Sequence, residues 1–297
     1  MIIKIFDQQE NIRLTAFLFA GKSGAGERDL RRLFKLYPES VIVNRKADGI
    51  IKSISKLANA SNIVYIHSSP WNVIYRIIYF WKFHYLIVHN PPGFTSRTHI
   101  FGCLDAFILK INIAIANRLL FISKHVLHIY AHKHKCELLT VRKFATLTEH
   151  TIKPLRLHNK KPSIFFFGRY LPYKNVELFY ELSKKFMCLD FFIYSSDCPL
   201  KDTENLKVYA NWLTEDEIDA IYEKHQILVT PYTETSQSGP FFIGLETQRI
   251  IIAPNIPGFE EYQDTQRVIL FSPNDIENLS SALQKALVLF ESERLIG

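Results

Sequence analysis

Residues 163–186 read SIFFFGRYLPYKNVELFYELSKKF and contain one complete strand–turn–helix unit. Ser163–Phe167 is a mostly apolar run with the length of a buried strand, and Gly168 ends it. After the turn, residues 176–186 carry apolar side chains at helical spacing. Short apolar runs alternate with longer helical segments along the whole chain, which is typical of a parallel sheet covered by helices. The sequence therefore predicts an α/β fold of the doubly wound, Rossmann-like type.

The other predicted elements follow from the same alternation. Further strands are predicted at 41–44, 63–66, 85–88, 119–122, 189–194, 227–230, 250–253 and 268–271. Further helices are predicted at 28–37, 50–59, 71–83, 104–116, 123–131, 215–224, 241–247 and from 276 to about 289.

Length and composition limit the class of protein. With 297 residues, of which 47% are hydrophobic and 22% charged, the chain is a folded protein with room for two domains. Its four cysteines form no C-x-x-C pair and its N-terminus has no secretory signal, which favours a cytoplasmic location. Residues 141–162 show no clear period, so we place a boundary there and predict domains 1–152 and 153–297.

Charge is distributed unevenly between the two halves of the chain. Residues 1–150 hold 21 basic and 9 acidic side chains, whereas residues 151–297 hold 15 and 20. Basic and aromatic residues are mixed between Trp71 and Lys82, which favours an anionic membrane surface as a partner. The absence of zinc-finger and RNA-binding signatures argues against nucleic acid. An ordinary solvated basic face over a buried aromatic core is the alternative.

Two basic residues follow the strand of the 163–186 unit. Arg169 comes directly after Gly168, and Lys174 stands just before the helix. A guanidinium group, an ammonium group and the free N–H groups of a helix N-terminus together suit a diphosphate. The alternative is a pair of solvated loop cations.

A second group of candidate residues lies in PYTETSQSGPFFIGLETQRIIIAPNIPGFEE, residues 231–261. Ser238 and Gly239 open a predicted helix there, and Glu246 lies within it. Amides at a helix N-terminus bind phosphate or sugar oxygens, and a carboxylate accepts hydrogen bonds from a ribose diol. A solvated helix carboxylate is the alternative for Glu246.

Four motifs in succession resemble one known family. FFFGRYLPYK, NWLTEDEIDAIYEKHQILVTPY, SGPFFIGLE and IIIAPNIPGFEE look like the nucleotide-sugar domain of family 4 retaining glycosyltransferases of the GT-B fold. The resemblance covers residues 163 to about 275. It implies two Rossmann-like domains that face each other across a cleft, the first binding the acceptor and the second the nucleotide-sugar donor. It also implies that no metal or other cofactor is required.

The resemblance implies roles for particular residues. Arg169 and Lys174 would hold the donor diphosphate and stabilise the departing nucleotide as catalytic cations. Glu246 takes the place of the second Glu of the family's E-x7-E motif, which binds the ribose, whereas Ser238 stands in place of the first. Glu234 is a candidate to replace that missing carboxylate. The other candidates for donor binding are Gly168, Asn211, Leu213, Ser238 and Gly239.

Shorter motifs carry the resemblance in the first half. SGAGERDLRRL, residues 23–33, is similar to the family's glycine-rich loop, in which Gly24 and Gly26 would allow close contact with the donor phosphates. His89 follows a predicted strand and takes the position of a histidine that touches the donor sugar, and His67 is the second choice. A structural histidine is the alternative for both.

The expected function is transfer of a sugar, with retention, from a nucleotide-diphosphate sugar to a saccharide or lipid-linked acceptor. A hexosyl donor is expected, with UDP-sugar favoured over GDP-sugar. Synthesis of cell-surface polysaccharide or lipopolysaccharide is the expected setting, with the enzyme peripheral on the inner face of the plasma membrane. An inverting transferase of the same architecture and a degenerate protein that binds nucleotide sugar or a partner enzyme are the alternatives.

Overall fold

The computed structural model describes residues 15–19, 41–66, 69–88, 99–121, 161–235 and 238–296. The chain divides into two compact units, Met1–Leu147 and Thr148–Gly297. The predicted boundary at residue 152 lies outside the described residues, as do the predicted helices 28–37 and 123–131.

The first unit is an α/β unit with a five-stranded sheet. Its strands are β1 (Thr15–Phe19), β2 (Val41–Asn44), β3 (Asn62–Tyr65), β4 (Phe83–Val88) and β5 (Arg118–Phe121). Its helices are α1 (Arg45–Ala58), α2 (Pro70–Ile78) and α3 (His99–Ile115). The sheet order is β2-β1-β3-β4-β5, and all neighbouring strands are parallel. Strand β3 is buried along its whole length, as expected for a central strand of a parallel sheet.

A lysine from a later turn caps the end of α1. The buried Lys82 ammonium donates hydrogen bonds to three backbone carbonyls, those of Leu57, Ala58 and Ala60. The last carbonyls of a helix have no partner within it, so such a donor completes the helix end. The chain turns at residues 79–82 to bring Lys82 there, and α2 consequently ends at Ile78 instead of reaching residue 83 as predicted.

The second unit contains a six-stranded sheet. Its strands are β6 (Ser163–Phe167), β7 (Asp190–Tyr194), β8 (Leu206–Tyr209), β9 (Ile227–Val229), β10 (Ile250–Pro254) and β11 (Val268–Phe271). Its helices are α4 (Val176–Lys185), α5 (Glu215–Lys224), α6 (Gly239–Glu246) and α7 (Ile276–Ile296), with short 3-10 helices at Pro172–Lys174 and Glu260–Tyr262. The strands are parallel throughout, in the order β11-β10-β9-β6-β7-β8.

The direction of strand addition reverses between β6 and β9. The chain places β7 and β8 on one side of β6 and then returns to place β9 on the other side, where Phe165 pairs with Leu228. In open parallel sheets, ligands bind at the carboxyl ends of the strands at such a switch point. The loops that follow β6 and β9 lie side by side at this position.

The structure also differs from the sequence prediction at other elements. Helix α1 begins at Arg45 and helix α3 at His99, each five residues before its predicted start. Strands β1 and β8 were not predicted. Helix α7 runs to Ile296, beyond the predicted end near residue 289, because Phe290 is buried one turn after the buried Ala286. None of the helices in the described ranges is long and apolar enough to cross a membrane.

Candidate functional site

The loop after β6 brings a lysine ammonium against the backbone. Gly168 has a φ of 146°, a conformation that side chains with a Cβ rarely adopt. A Cβ built on Gly168 would lie 2.7 Å from the Lys174 Nζ. Glycine at this position therefore allows both the turn and the close approach of the ammonium group.

Lys174 is a buried cation at the switch point. Lys174 is only 7% exposed to solvent. Its Nζ donates a hydrogen bond to the Tyr232 Oη at 3.0 Å. Burial, with a smaller contribution from the Arg169 guanidinium, lowers the pKa of Lys174 to about 8. The ammonium is therefore still mostly protonated at pH 7, and no carboxylate of the described residues forms an ion pair with it.

Arg169 adds a second positive charge beside Lys174. Its side chain is exposed and follows Gly168 directly, and its charge is close enough to oppose protonation of Lys174. Lys174 is buried and pairs with none of the described carboxylates, and Arg169 adds a second positive charge, so the two cations form a site that favours an anion. The prediction of solvated loop cations is thus wrong for Lys174, whereas Arg169 is solvated.

The N-terminus of α6 is linked to Lys174 by hydrogen bonds through the Tyr232 hydroxyl group. Ser238 is the N-cap of α6, and its Oγ accepts a hydrogen bond from the Phe241 N–H at 3.3 Å. The Ser238 Oγ also donates to the Tyr232 Oη at 3.4 Å. Lys174, Tyr232 and Ser238 are therefore connected by hydrogen bonds, and Gly239 is the first residue of the helix.

The remaining predicted residues of the second unit lie around this cluster or farther along the sheet. Glu246 is half-buried and is the last residue of α6, about two turns after Ser238. Glu234 is exposed, two residues after Tyr232. Asn211 is exposed and Leu213 is half-buried in the segment that follows β8, two strands away from β6. Their contacts with a donor stay predictions.

Four candidate residues of the first half lie outside the described residues, namely Gly24, Gly26, His67 and His89.

Two residues that the sequence analysis did not select belong to the site region. Tyr232 is fully buried and contacts both Lys174 and Ser238. Gly258 has a φ of 100°, and a Cβ there would lie 2.8 Å from the Thr235 carbonyl oxygen. The position of Tyr232 in the loop that follows β9 was a usable signal, because residues after parallel strands meet at the carboxyl edge. The signal for Gly258 was its place in the loop after β10.

Solved structures share this fold, although no family model and no curated protein matches the chain. An α-glucosyltransferase in complex with UDP and a 13-mer DNA has a TM-score of 0.64 and 10% identity, covering 94% of this chain and 92% of that one. Sucrose-phosphate synthase from Thermosynechococcus elongatus has a TM-score of 0.61 and 12% identity, covering 92% and 89%. A Listeria monocytogenes protein assigned as UDP-N-acetylglucosamine 2-epimerase has a TM-score of 0.54 and 11% identity, covering 94% and 89%.

These likenesses confirm the predicted fold. The chain has the fold of the GT-B glycosyltransferases, with Rossmann-like α/β units and parallel sheets. At identities of 10 to 12% the likeness concerns the fold alone, and one fold carries more than one activity.

Proposed function

We propose that the protein transfers a sugar from a nucleotide-diphosphate sugar to a hydroxyl group of a saccharide or lipid-linked saccharide. The observation that carries this proposal is the Lys174 ammonium, which is buried at the switch point beside Arg169 and forms no ion pair with a described carboxylate. A buried charge is costly unless a partner of opposite charge compensates it. A donor diphosphate supplies that partner.

The proposed chemistry follows from these two cations. When the bond between the sugar C1 and the diphosphate oxygen breaks, the electron pair leaves with the diphosphate, and Lys174 and Arg169 stabilise the growing negative charge. The acceptor oxygen bonds to C1, and its proton passes to the leaving phosphate. Attack from the side of the leaving group gives retention, and the two cations at the diphosphate make a metal ion unnecessary for this step. UDP is the favoured nucleotide, because the α-glucosyltransferase of the same fold was solved with UDP.

UDP is expected to stabilise the protein against thermal unfolding, whereas CMP and NAD are not. A ligand present at 100 times its dissociation constant adds about 2.7 kcal/mol to the free energy of unfolding. In Arg169→Ala this stabilisation should fall, because one of the two cations is lost while its exposed side chain contributes little to the fold. Melting temperatures of both proteins with UDP, GDP, CMP, NAD and no ligand provide the measurement. No shift with any nucleoside diphosphate would contradict the donor site.

A second candidate function is supported by the side chain at position 238. Ser238 caps α6 and contacts Tyr232, so it does not supply the carboxylate that the family resemblance places there. A degenerate protein of this kind would bind the nucleotide and release no UDP from any UDP-sugar and acceptor pair. Release of UDP together with a glycosylated acceptor indicates transfer, whereas conversion of the free donor sugar to its epimer indicates epimerisation. The anomeric configuration of the glycosylated product separates retention from inversion.

We further propose that the first unit contacts an anionic membrane surface. Three large apolar side chains at the end of α2 and in the following turn are 65 to 71% exposed, namely Ile77, Phe80 and Trp81. Aromatic side chains at this density suit the interface of a bilayer. Two of the basic side chains in this region do not add free surface charge, because Lys82 is buried and Lys56 pairs with Asp48 at 2.7 Å.

The double variant Phe80→Ser/Trp81→Ser is expected to lose binding to vesicles that contain anionic lipid. Both side chains are exposed, so their removal from water on binding is the main contribution to affinity and their replacement leaves the fold intact. Co-sedimentation with anionic vesicles at low salt measures the effect, and Ile51→Ser, which alters another exposed apolar residue, is the control. Absence of binding by the wild-type protein would remove the proposal.

A further inference from the structure

Tyr232 occupies a central place in the site. It follows β9 and is fully buried, and its ring is held by Tyr173 and Phe259, with ring centroids 6.1 and 5.9 Å away. The Lys174 Nζ lies 4.6 Å from the centre of the Tyr232 ring, within the range of a cation–π interaction. The Tyr232 ring is therefore held by two aromatic contacts and one cation contact in the unliganded protein.

The hydroxyl group of Tyr232 joins two parts of the chain that a diphosphate would touch. An ammonium group can only donate hydrogen bonds, so the Tyr232 Oη accepts from the Lys174 Nζ at 3.0 Å. The same Oη accepts from the Ser238 Oγ at 3.4 Å, and that Oγ accepts from the Phe241 N–H at 3.3 Å. A continuous path of hydrogen bonds thus runs from the cation after β6 to the first turn of α6.

We propose that Tyr232 is a positioning residue for the donor diphosphate, holding the Lys174 ammonium in place and coupling it to the N-terminus of α6. This proposal rests on the proposed function of the same site. Tyr232 does not touch the reacting atoms and acts through Lys174. Without the phenol oxygen, the ammonium of Lys174 would be buried with no hydrogen-bond acceptor among the contacts described for it.

The role of Tyr232 can be separated from simple packing by its effect on Lys174. Burial is the main cause of the lowered Lys174 pKa of about 8, and a hydrogen bond to the charged form opposes that effect. Removal of the acceptor therefore lowers the Lys174 pKa further, so the ammonium loses its proton at a lower pH. A tyrosine that only fills space would leave this titration unchanged.

The test is UDP binding by Tyr232→Phe, measured by calorimetry between pH 7 and pH 9. The ring and its contacts are kept, and only the hydroxyl is lost. If the Lys174 pKa falls by about one unit, UDP binds about twofold more weakly than to the wild type at pH 7 and about tenfold more weakly at pH 9. Titration of labelled lysine by NMR in the unliganded variant should show the same shift.

The controls isolate the contact with Lys174. Tyr65→Phe removes another buried phenol, whose Oη lies 2.6 Å from the Nδ1 of the buried His84 in the first unit, and it should leave the pH profile of UDP binding unchanged. Ser238→Ala keeps the phenol and removes its second contact, so it should weaken UDP binding less than Tyr232→Phe at pH 9. It also provides a folded comparison if Tyr232→Phe proves unstable.

Each outcome has a distinct meaning. If wild type and Tyr232→Phe bind UDP with the same affinity and the same pH midpoint, the positioning role is wrong and the donor site stands. If the wild-type protein binds no nucleoside diphosphate, the donor site and the positioning role both fail. If the NMR midpoint of Lys174 is unchanged in Tyr232→Phe while UDP affinity is reduced equally at all pH values, Tyr232 acts by packing and the proposal is overturned.

Discussion

Lys174→Met is expected to abolish the stabilisation by UDP without lowering the stability of the unliganded protein. The ammonium is buried, and its pKa of about 8 lies well below the usual value of 10.5. A shift of this size corresponds to about 3 kcal/mol that the fold loses by keeping the group charged at pH 7. Methionine fills a similar volume without that cost. Loss of one preorganised donor to the developing negative charge lowers kcat by about 100-fold to 1,000-fold, and we expect an effect of this size here.

Urea denaturation with and without UDP, together with a transfer assay, measures both parts of this prediction. Lys184→Met is the matched control, because Lys184 is exposed and pairs with Glu181 on the surface of α4. It should leave UDP binding unchanged. A Lys174→Met protein that still gains stability from UDP would show that the donor phosphates lie elsewhere, whereas a clear loss of stability without UDP would show that Lys174 is a structural cation.

Elements with strong local boundaries could be predicted from the sequence. The predicted bounds of strand Ser163–Phe167 match the structure because a mostly apolar run ends at Gly168. Those of helix Glu215–Lys224 match because Thr214 and Glu217 form a capping box at its start. Strand β8 was missed because it is an edge strand in which only Leu206 is buried while Lys207 and Tyr209 are exposed. The sequence of β8 alone has the polarity pattern of a loop. Only its pairing with β7 identifies it as a strand.

The sequence predicted which types of residue form the site. It did not predict the contacts between them. Arg169 and Lys174 were predicted to bind phosphate from their charges and their place between a strand and a helix, and this role stays a prediction. The burial of Lys174 could not be predicted, because it depends on β9 returning to pair with β6 and so placing Tyr232 over the lysine. Such non-local pairing leaves no trace in the spacing of neighbouring residues.

Gly168→Ala is expected to weaken UDP binding by displacing the Lys174 ammonium. The new Cβ would lie 2.7 Å from the Nζ, so the flexible end of the lysine must move while the backbone around it stays folded. Loss of one hydrogen bond to a charged phosphate costs about 1.5 to 3 kcal/mol, or roughly tenfold to 100-fold in affinity. The φ of 146° adds a cost in stability of about 1 to 2 kcal/mol for any residue with a Cβ.

The stability cost and the binding loss can be separated with a second glycine. Gly49 in α1 also has a positive φ, 72°, and a Cβ there would have no atom within 4 Å. Gly49→Ala should therefore destabilise the fold and leave UDP affinity unchanged. In the Lys174→Met background, Gly168→Ala should lower the residual kcat no further, because the group that it displaces is already gone. Additive losses in that double variant would mean that Gly168 contacts the donor directly through its backbone, independently of the lysine.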